Sequence, residues 1–174
     1  MTQTSLYIRP AGPSDAGPIA DISRQTFYDS FAEQNSPENM ALFMNGPFGR
    51  EVLMSEIGEP SNFFFLACMD REVLGYVKMR LAPNPPALEG ADAIEIARIY
   101  VIKEAIGKGV GQALMQHCLD TARNMKKEII WLGVWEHNLK AISFYRKWGF
   151  ERFGEHIFVL GNDPQTDWLM WKKL

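Results

Sequence analysis

Residues 99–114 read IYVIKEAIGKGVGQAL, an apolar β-branched run that passes through a short polar segment into three alternating glycines and then a helical pattern. Glycine weakens a helix by about 1 kcal/mol relative to alanine, so three glycines at a helix entrance need a reason. Either the backbone turns sharply there, or a ligand approaches it closely. The first N–H groups of a helix have no intrahelical partner, so a strand, a glycine-rich turn and a helix start together favour an anion-binding site.

The glycine spacing alone does not identify the anion. A Walker motif requires GxxxxGK[ST], which the chain lacks, and the dinucleotide fingerprint GxGxxG fails because its third glycine position is Gln112. A tight turn that needs positive φ at one glycine is the alternative explanation. The neighbouring sequence must therefore decide between them.

Composition narrows the class of protein. The 174 residues suit one domain, residues 1–174, and a net charge of −3 offers no basic surface for nucleic acid. No apolar run reaches the ~18 residues of a membrane span, and no secretory signal is recognisable, so we expect a cytoplasmic protein. Cys68 and Cys118 form no CxxC motif and are predicted to be buried free thiols.

Hydrophobic periodicity predicts an order of β-α-α-β-β-β-α-β-α-β-β, an α/β or α+β fold with one mixed central sheet. The second helical region is expected to start near Ser36, to break at Gly46-Pro47 and to resume as far as Ile57. A strand, helix and strand over residues 94–135 imply a parallel pair joined by a right-handed crossover. Asn138 is expected to cap the last helix and Gly149 to end it.

Two motifs carry a family resemblance. IEIARIYVIKEAIGKGVGQALM, residues 94–115, resembles the acetyl-CoA-binding segment of the GCN5-related N-acetyltransferases (GNAT), and NLKAISFYRKWGF, residues 138–150, is similar to their N-x-x-A-x-x-F-Y-x-x-x-G-F motif. The resemblance covers nearly all of residues 6–174. WLGVWEHN (131–138) and GEHIFVLGNDPQTDWLM (154–170) resemble a branch described as PaiA-type spermine/spermidine acetyltransferases.

The resemblance implies a GNAT-type sheet whose fourth and fifth strands splay apart at an acetyl-CoA site. Backbone N–H groups near Ile99 and Tyr100 would face the thioester oxygen. Ile106 departs from the family, which usually has Gln or Arg there, so we expect weaker or rearranged phosphate contacts. The implied cofactor-binding residues are Ile99, Tyr100, Val101, Gly107, Lys108, Gly109, Val110, Gly111, Gln112 and Asn138.

The resemblance also implies two catalytic residues. Tyr145 matches the general acid that protonates the departing thiolate, and the alternative is a tyrosine that only packs in the core. Glu95 occupies the position of an acidic general base, and strict strand alternation would place it on the face of Ala97, Ile99 and Val101. The alternative for Glu95 is a glutamate at a strand end that pairs with a lysine.

In the family, the acceptor amine binds near the first helices and the last loop. This implies substrate-binding residues Phe27, Tyr28, Phe31 and Trp135, with acidic Asp29, Glu33, Asp163 and Asp167 to attract a polyamine such as spermidine or spermine. The alternative for these acids is a solvated helix face and a polar turn. His117, His137 and His156 lack metal-ligand spacing, so no metal site is expected.

The predicted activity is acetyl transfer to a primary amine by direct attack in a ternary complex, because no activated Cys or Ser motif occurs. The substrate alternatives are a polyamine and a lysine or N-terminal amine of a peptide. A non-catalytic acyl-CoA-binding sensor is the alternative from another class. A homodimer is compatible with the sequence.

Overall fold

The computed structural model describes residues 5–174, so the first four residues of the predicted domain lie outside the described ones. The strands are β1 (Tyr7–Pro10), β2 (Asn62–Met69), β3 (Glu72–Arg80), β4 (Ala93–Val101), β5 (Ile129–Trp135), β6 (Glu151–Leu160) and β7 (Asp163–Lys173). The helices are α1 (Ala16–Phe31), α2 (Pro37–Asn45), α3 (Arg50–Ser55), α4 (Val110–Asn124) and α5 (Leu139–Lys147).

The strands form one mixed sheet in the order β1-β2-β3-β4-β5-β7-β6. The pair β4–β5 is parallel and joined by the α4 crossover, whereas the other neighbours are antiparallel. The predicted fold class and element order are confirmed, with the second helical region divided into α2 and α3. Ser36 caps α2 by accepting a hydrogen bond from the Asn39 N–H at 3.1 Å.

Helices cover both faces of the sheet. On one face, Leu114, Met115 and Cys118 of α4 pack against apolar side chains of β3, β4 and β5. On the other face, α1, α2 and α3 pack over the sheet with a cluster that includes Phe27 and Phe43. Cys68 and Cys118 are both free and buried, as predicted.

A β-bulge at Ala97 interrupts the alternation of β4. Lys78 of β3 pairs with Arg98, but the next residue, Met79, pairs with Ile96, so Ala97 has no partner. Ile96 and Ile99 consequently share the α4 face, although three positions separate them. Glu95, Arg98 and Tyr100 lie opposite Arg80, Lys78 and Tyr76 on the α1 face. The predicted placement of Glu95 on the face of Ile99 and Val101 is therefore wrong, because an inserted residue reverses the parity of a strand.

The predicted splay between β4 and β5 is present. Their pairing ends at Ile96 and Leu132, while the strands continue to Val101 and Trp135. Beyond that point β4 remains paired with β3, and β5 with β7. The two halves of the sheet thus separate, and a gap opens between them.

Candidate active site

The gap between β4 and β5 holds a cavity of about 700 Å³. Ala97, Ile99 and Val101 line one side, and Gly133 and Trp135 line the other. One end reaches the glycine turn and α5, and the opposite end reaches α1, α2, β6 and β7. Two reactants can therefore enter from opposite ends of one cavity and meet between the strands.

The three glycines before and within α4 have different roles. Gly107 and Gly109 have φ values of 81° and 84°, in the left-handed region that favours glycine. Gly111 has ordinary helical geometry, and a Cβ there would lie 3.7 Å from the Phe144 ring, a normal contact. A turn alone therefore explains two of the glycines, and Gly111 leaves the start of α4 open toward the cavity.

The N-terminus of α4 suits an anionic ligand. Gly109 is its N-cap and provides no side chain, so the N–H groups of the first turn have no side-chain cap. A Cβ built on Gly107 or Gly109 would meet open space, which shows that a ligand can approach the backbone here. Ile106 lines the cavity and is 64% exposed, so its side chain adds no polar group to this end.

The structure brings most of the predicted cofactor-binding residues to the cavity. The members that line it are Ile99, Tyr100, Val101, Gly107, Gly111, Gln112 and Asn138. Lys108, Gly109 and Val110 are not part of the lining, and the Val110 side chain is buried in the core. Asn138 caps α5 as predicted, accepting the Ala141 N–H at 3.2 Å.

Tyr145 combines a buried ring with access to the cavity. Its ring packs against Phe144 and Phe150, so part of the core-packing alternative is true. Its hydroxyl makes no hydrogen bond to any group of residues 5–174, and the residue lines the cavity. Burial raises the pKa of the Tyr145 phenol.

Glu95 is 7% exposed and pairs with Arg80 across β3 and β4. The Arg80 guanidinium donates to both carboxylate oxygens, with Nη2 to Oε1 at 3.2 Å. Arg80 lines the cavity, whereas Glu95 lies behind it. The partner is an arginine rather than the lysine of the alternative reading, and it binds both oxygens of the carboxylate.

The acceptor end has aromatic walls, as predicted for three of its four residues. Phe27, Phe31 and Trp135 line the cavity, and Phe31 and Trp135 contact edge to face with centroids 6.0 Å apart. Tyr28 is 54% exposed and lies outside the lining, because it follows Phe27 on α1 and faces away. Phe43, Phe48 and Phe158 complete the aromatic surface and were not anticipated.

Most of the predicted acidic residues do not reach the cavity. Asp29 accepts a hydrogen bond from Gln25 on the exposed face of α1, and Glu33 and Asp163 also lie outside the lining. Asp167 does line it, with its carboxylate 3.5 Å from the His156 imidazole. That carboxylate raises the pKa of His156. Both side chains lie 3.7 Å from a Cβ placed on Gly133, so the missing side chain makes room for them.

Sequence reasoning missed the cations of the acceptor end. Lys78 and Arg98 both line the cavity, and Glu56, just after α3, pairs with both. A signal was available, since a lysine within YVKM and an arginine within IEIARIY interrupt otherwise apolar strands. Because charged residues are seldom buried without a partner, Lys78 and Arg98 could have been marked as candidate site residues.

Residues 5–174 contain neither a cluster suited to a metal ion nor a helix suited to cross a membrane. No group of three or more His, Cys, Asp or Glu side chains within residues 5–174 is arranged to hold a metal ion. Over the same residues, no helix has the length and apolar character needed to cross a membrane.

Comparison with known proteins agrees with this geometry. Residues 19–150 match the acetyltransferase (GNAT) family. An uncharacterized N-acetyltransferase in the pepI 3′ region of Lactobacillus delbrueckii subsp. lactis is 39% identical over 171 residues, covering 98% of this chain and 99% of the relative. A spermidine N(1)-acetyltransferase of Thermoplasma acidophilum is 25% identical over 84% of this chain and 89% of the relative.

The fold has a solved counterpart. The crystal structure of PaiA N-acetyltransferase from Thermoplasma acidophilum in complex with coenzyme A superposes with a TM-score of 0.77 and 21% identity, covering 98% of this chain and 99% of that one. At this identity the likeness establishes the fold, while the family match and the 39% identical relative establish the family. The chain therefore belongs to the GNAT acetyltransferase family and is an acetyl-CoA-dependent N-acetyltransferase.

Proposed function

We propose that this protein, acting as a single domain, transfers the acetyl group of acetyl-CoA directly to a small primary amine, with both substrates bound in the cavity between β4 and β5. The observation that carries the proposal is the continuity of this cavity from the glycine turn to the aromatic acceptor end. Cys68 and Cys118 are buried and do not line it, so neither is placed to form an acyl-enzyme.

The residues of the glycine turn and of β4 suit acetyl-CoA. Unpaired N–H groups at the start of α4 would bind its phosphates, supported by the positive end of the helix dipole. The backbone of Ile99–Val101 and the Asn138 side chain, which border the same gap, would hold the arm that carries the thioester. A backbone N–H directed at the developing oxyanion contributes about 3 kcal/mol to a reaction of this kind.

Acetyl-CoA supplies the acetyl group and leaves as a thiolate, which needs a proton. We assign that proton to the Tyr145 hydroxyl, which lines the cavity and has no competing hydrogen bond within residues 5–174. The phenol is protonated at neutral pH, but burial raises the pKa of Tyr145 and makes it a weaker acid, so the developing thiolate must lie directly against the hydroxyl to take the proton. General acid catalysis of this type is worth roughly 100- to 10,000-fold in rate.

The attacking amine must lose a proton. We assign its removal to Glu95, acting through water, with Arg80 holding the carboxylate in position between β3 and β4. A purely structural Arg80–Glu95 pair that ties the two strands together is the competing explanation. The two roles predict different effects for Glu95→Gln and Arg80→Gln.

The candidate acceptors are a polyamine and a peptide amine. A polyamine has the spermidine N(1)-acetyltransferase relative in its favour, and Asp167 places one carboxylate on the lining. Asp29, Glu33 and Asp163 lie outside the cavity, which removes most of the acidic support for a polycation. A peptide amine is the second candidate, because the cavity opens between α1, α2 and the β6–β7 hairpin.

The test is thiol release from acetyl-CoA in the presence of single amines: polyamines, amino acids, and peptides with a free N-terminus or lysine. The product is identified by mass spectrometry, and the protein is weighed after incubation with acetyl-CoA alone. Amine-dependent release with no acetylated protein supports direct transfer. Measurable coenzyme A binding without turnover on any amine would instead favour a non-catalytic sensor.

A further inference from the structure

A charged cluster lies in the wall of the acceptor end. The Arg98 guanidinium donates to both oxygens of Glu56, with Nη1–Oε2 at 2.6 Å and Nη2–Oε1 at 2.9 Å. The Lys78 ammonium lies 3.2 Å from Glu56 Oε2. Lys78 is 3% exposed, so its charge has little access to bulk water.

The cluster holds two cations and one carboxylate. Lys78 and Arg98 line the cavity, whereas Glu56 lies behind them and binds both from one side. An unbalanced buried cation is costly, because the interior replaces the lost hydration poorly. Burial and the neighbouring Arg98 lower the pKa of Lys78 while Glu56 opposes them, so a further negative partner would stabilise the ammonium form.

Within residues 5–174, no other nearby acid supplies a second negative charge. Among the lining residues that the structure describes, Asp167 is the only carboxylate, and it faces His156. Glu95 is already paired with Arg80. The excess positive charge of Lys78 and Arg98 therefore faces the space that the acceptor would fill.

The cluster is also held in place. The Arg98 guanidinium lies over the Phe48 ring, 5.1 Å from its centroid, and Glu56 binds it through two oxygens. Aromatic side chains border the same space, among them Phe31, Trp135 and Phe158. The wall thus combines a fixed cationic point with an apolar, aromatic surface, an arrangement that suits a ligand with an anionic group and an apolar body.

We propose that the acceptor is an amine that also carries a carboxylate, which binds Lys78 and Arg98 and completes the charge balance of their cluster with Glu56. The inference rests on the proposed acetyl transfer and narrows its substrate class. Arg98 directly precedes Ile99, whose backbone is assigned to the thioester arm, so the carboxylate and the reacting amine belong to one small molecule such as an amino acid. A polyamine would add positive charge beside two cations that share a single carboxylate.

The test compares acceptors with and without this carboxylate. Phenylalanine and phenylalaninamide present the same ring and amine, with and without a carboxylate, and spermidine serves as the polycation. Because the amide changes the basicity of the amine, each kcat/KM is calculated from the concentration of the unprotonated amine. The expected kcat/KM for the acid is at least about 10-fold above that for the amide, the effect of one lost charge-assisted contact.

Substitutions of Lys78 test whether this cluster causes the preference for the acid. Lys78→Met is expected to abolish the preference for the acid, and Lys78→Arg to retain most of it. Lys173→Met, an exposed lysine on β7 outside the cavity, is the matched control and should keep the wild-type preference. Because the preference is measured first on the wild-type protein, a variant that fails to fold does not remove the test.

The outcomes separate this inference from the proposed function. Equal turnover of acid and amide, or faster turnover of spermidine than of either, would overturn the inference and leave acetyl transfer intact. If no amine is acetylated, calorimetric titration of the coenzyme A-bound protein decides. Tighter binding of phenylalanine than of its amide would then support the carboxylate site while the proposed function fails, and equal binding would overturn both.

Discussion

Arg80 and Glu95 face each other across β3 and β4, and the guanidinium of the first donates to both carboxylate oxygens of the second. Arg80 lines the cavity while Glu95 lies behind it. The pair has one of two roles. Either Arg80 positions a carboxylate that accepts a proton through water, or the ion pair only stabilises the contact between β3 and β4 at the point where β4 separates from β5.

Glu95→Gln separates these roles, because glutamine keeps the shape of the side chain but cannot accept the proton of the amine. We expect kcat to fall by roughly 100-fold or more, with the affinity for coenzyme A unchanged. Steady-state kinetics over pH and a coenzyme A titration measure the two effects. Arg80→Gln is the matched control and should lower kcat less, since it retains the carboxylate. Equal losses in the two variants, or an unchanged pH–rate profile in Glu95→Gln, would remove Glu95 from the role of base.

Tyr145→Phe removes only the hydroxyl that lines the cavity. We expect turnover to drop by about 100-fold while coenzyme A binding changes little, because the ring still packs against Phe144 and Phe150. Tyr100→Phe is the comparison, since Tyr100 also lines the cavity but is assigned a backbone role. Comparable loss of turnover and of coenzyme A affinity in Tyr145→Phe would point to a packing role instead.

The glycines of the turn should respond differently to alanine. Gly109→Ala places a Cβ at a φ of 84° and should lower the free energy of unfolding by about 1 kcal/mol. Gly111→Ala has normal φ and room beside Phe144, so stability should be equal or slightly higher, whereas coenzyme A affinity should fall because the Cβ enters the ligand's path. Chemical denaturation and coenzyme A titration distinguish the two effects. Unchanged affinity in Gly111→Ala would show that the ligand does not approach this residue.

His156 should contribute a pH-dependent share of stability through Asp167. The carboxylate raises the pKa of His156 in the folded state, so the contribution is complete below the unfolded pKa of about 6.5 and is lost as pH rises through the folded value. Because the His156 side chain is 48% exposed, solvent screening limits the contribution to less than about 1 kcal/mol.

Denaturation of wild type, His156→Gln, Asp167→Asn and the double variant from pH 5 to pH 9 measures that contribution. The coupling between the two residues should be largest at the acidic end and disappear at the basic end. A coupling independent of pH would show that the pair is held by packing rather than by charge.

Local sequence was sufficient for the features that depend on near neighbours. The sequence predicted the cap at Asn138, whose side chain accepts the Ala141 N–H. It also predicted the helix end at Gly149, where φ is 85°. Both predictions used single residues next to a helical pattern. The strand, turn and helix around Gly107 and Gly109 were predicted in the same way. Caps and turns involve residues three or four apart, so the chain specifies them without reference to the rest of the fold.

Strand register was not available from the sequence. Alternation placed Glu95 beside Ile99, but the pairing of Lys78 with Arg98 and of Met79 with Ile96 leaves Ala97 as an extra residue. That insertion turns Glu95 to the α1 face, toward Arg80. A bulge depends on how two strands align over their whole length. The sequence of the loop between β3 and β4 does not specify this alignment, so the bulge could not be predicted.

The sequence by itself determined the family, the element order and the glycine-rich start of α4, because each is encoded in contiguous residues or in a regular period. Only the tertiary structure decided which charges meet in the cavity. Glu56 binds Arg98 from 42 positions away, and the resulting excess of positive charge replaces the acidic surface expected from α1. Charge balance in a buried site is a property of the packed fold, since desolvation and distance, rather than order along the chain, determine its energy.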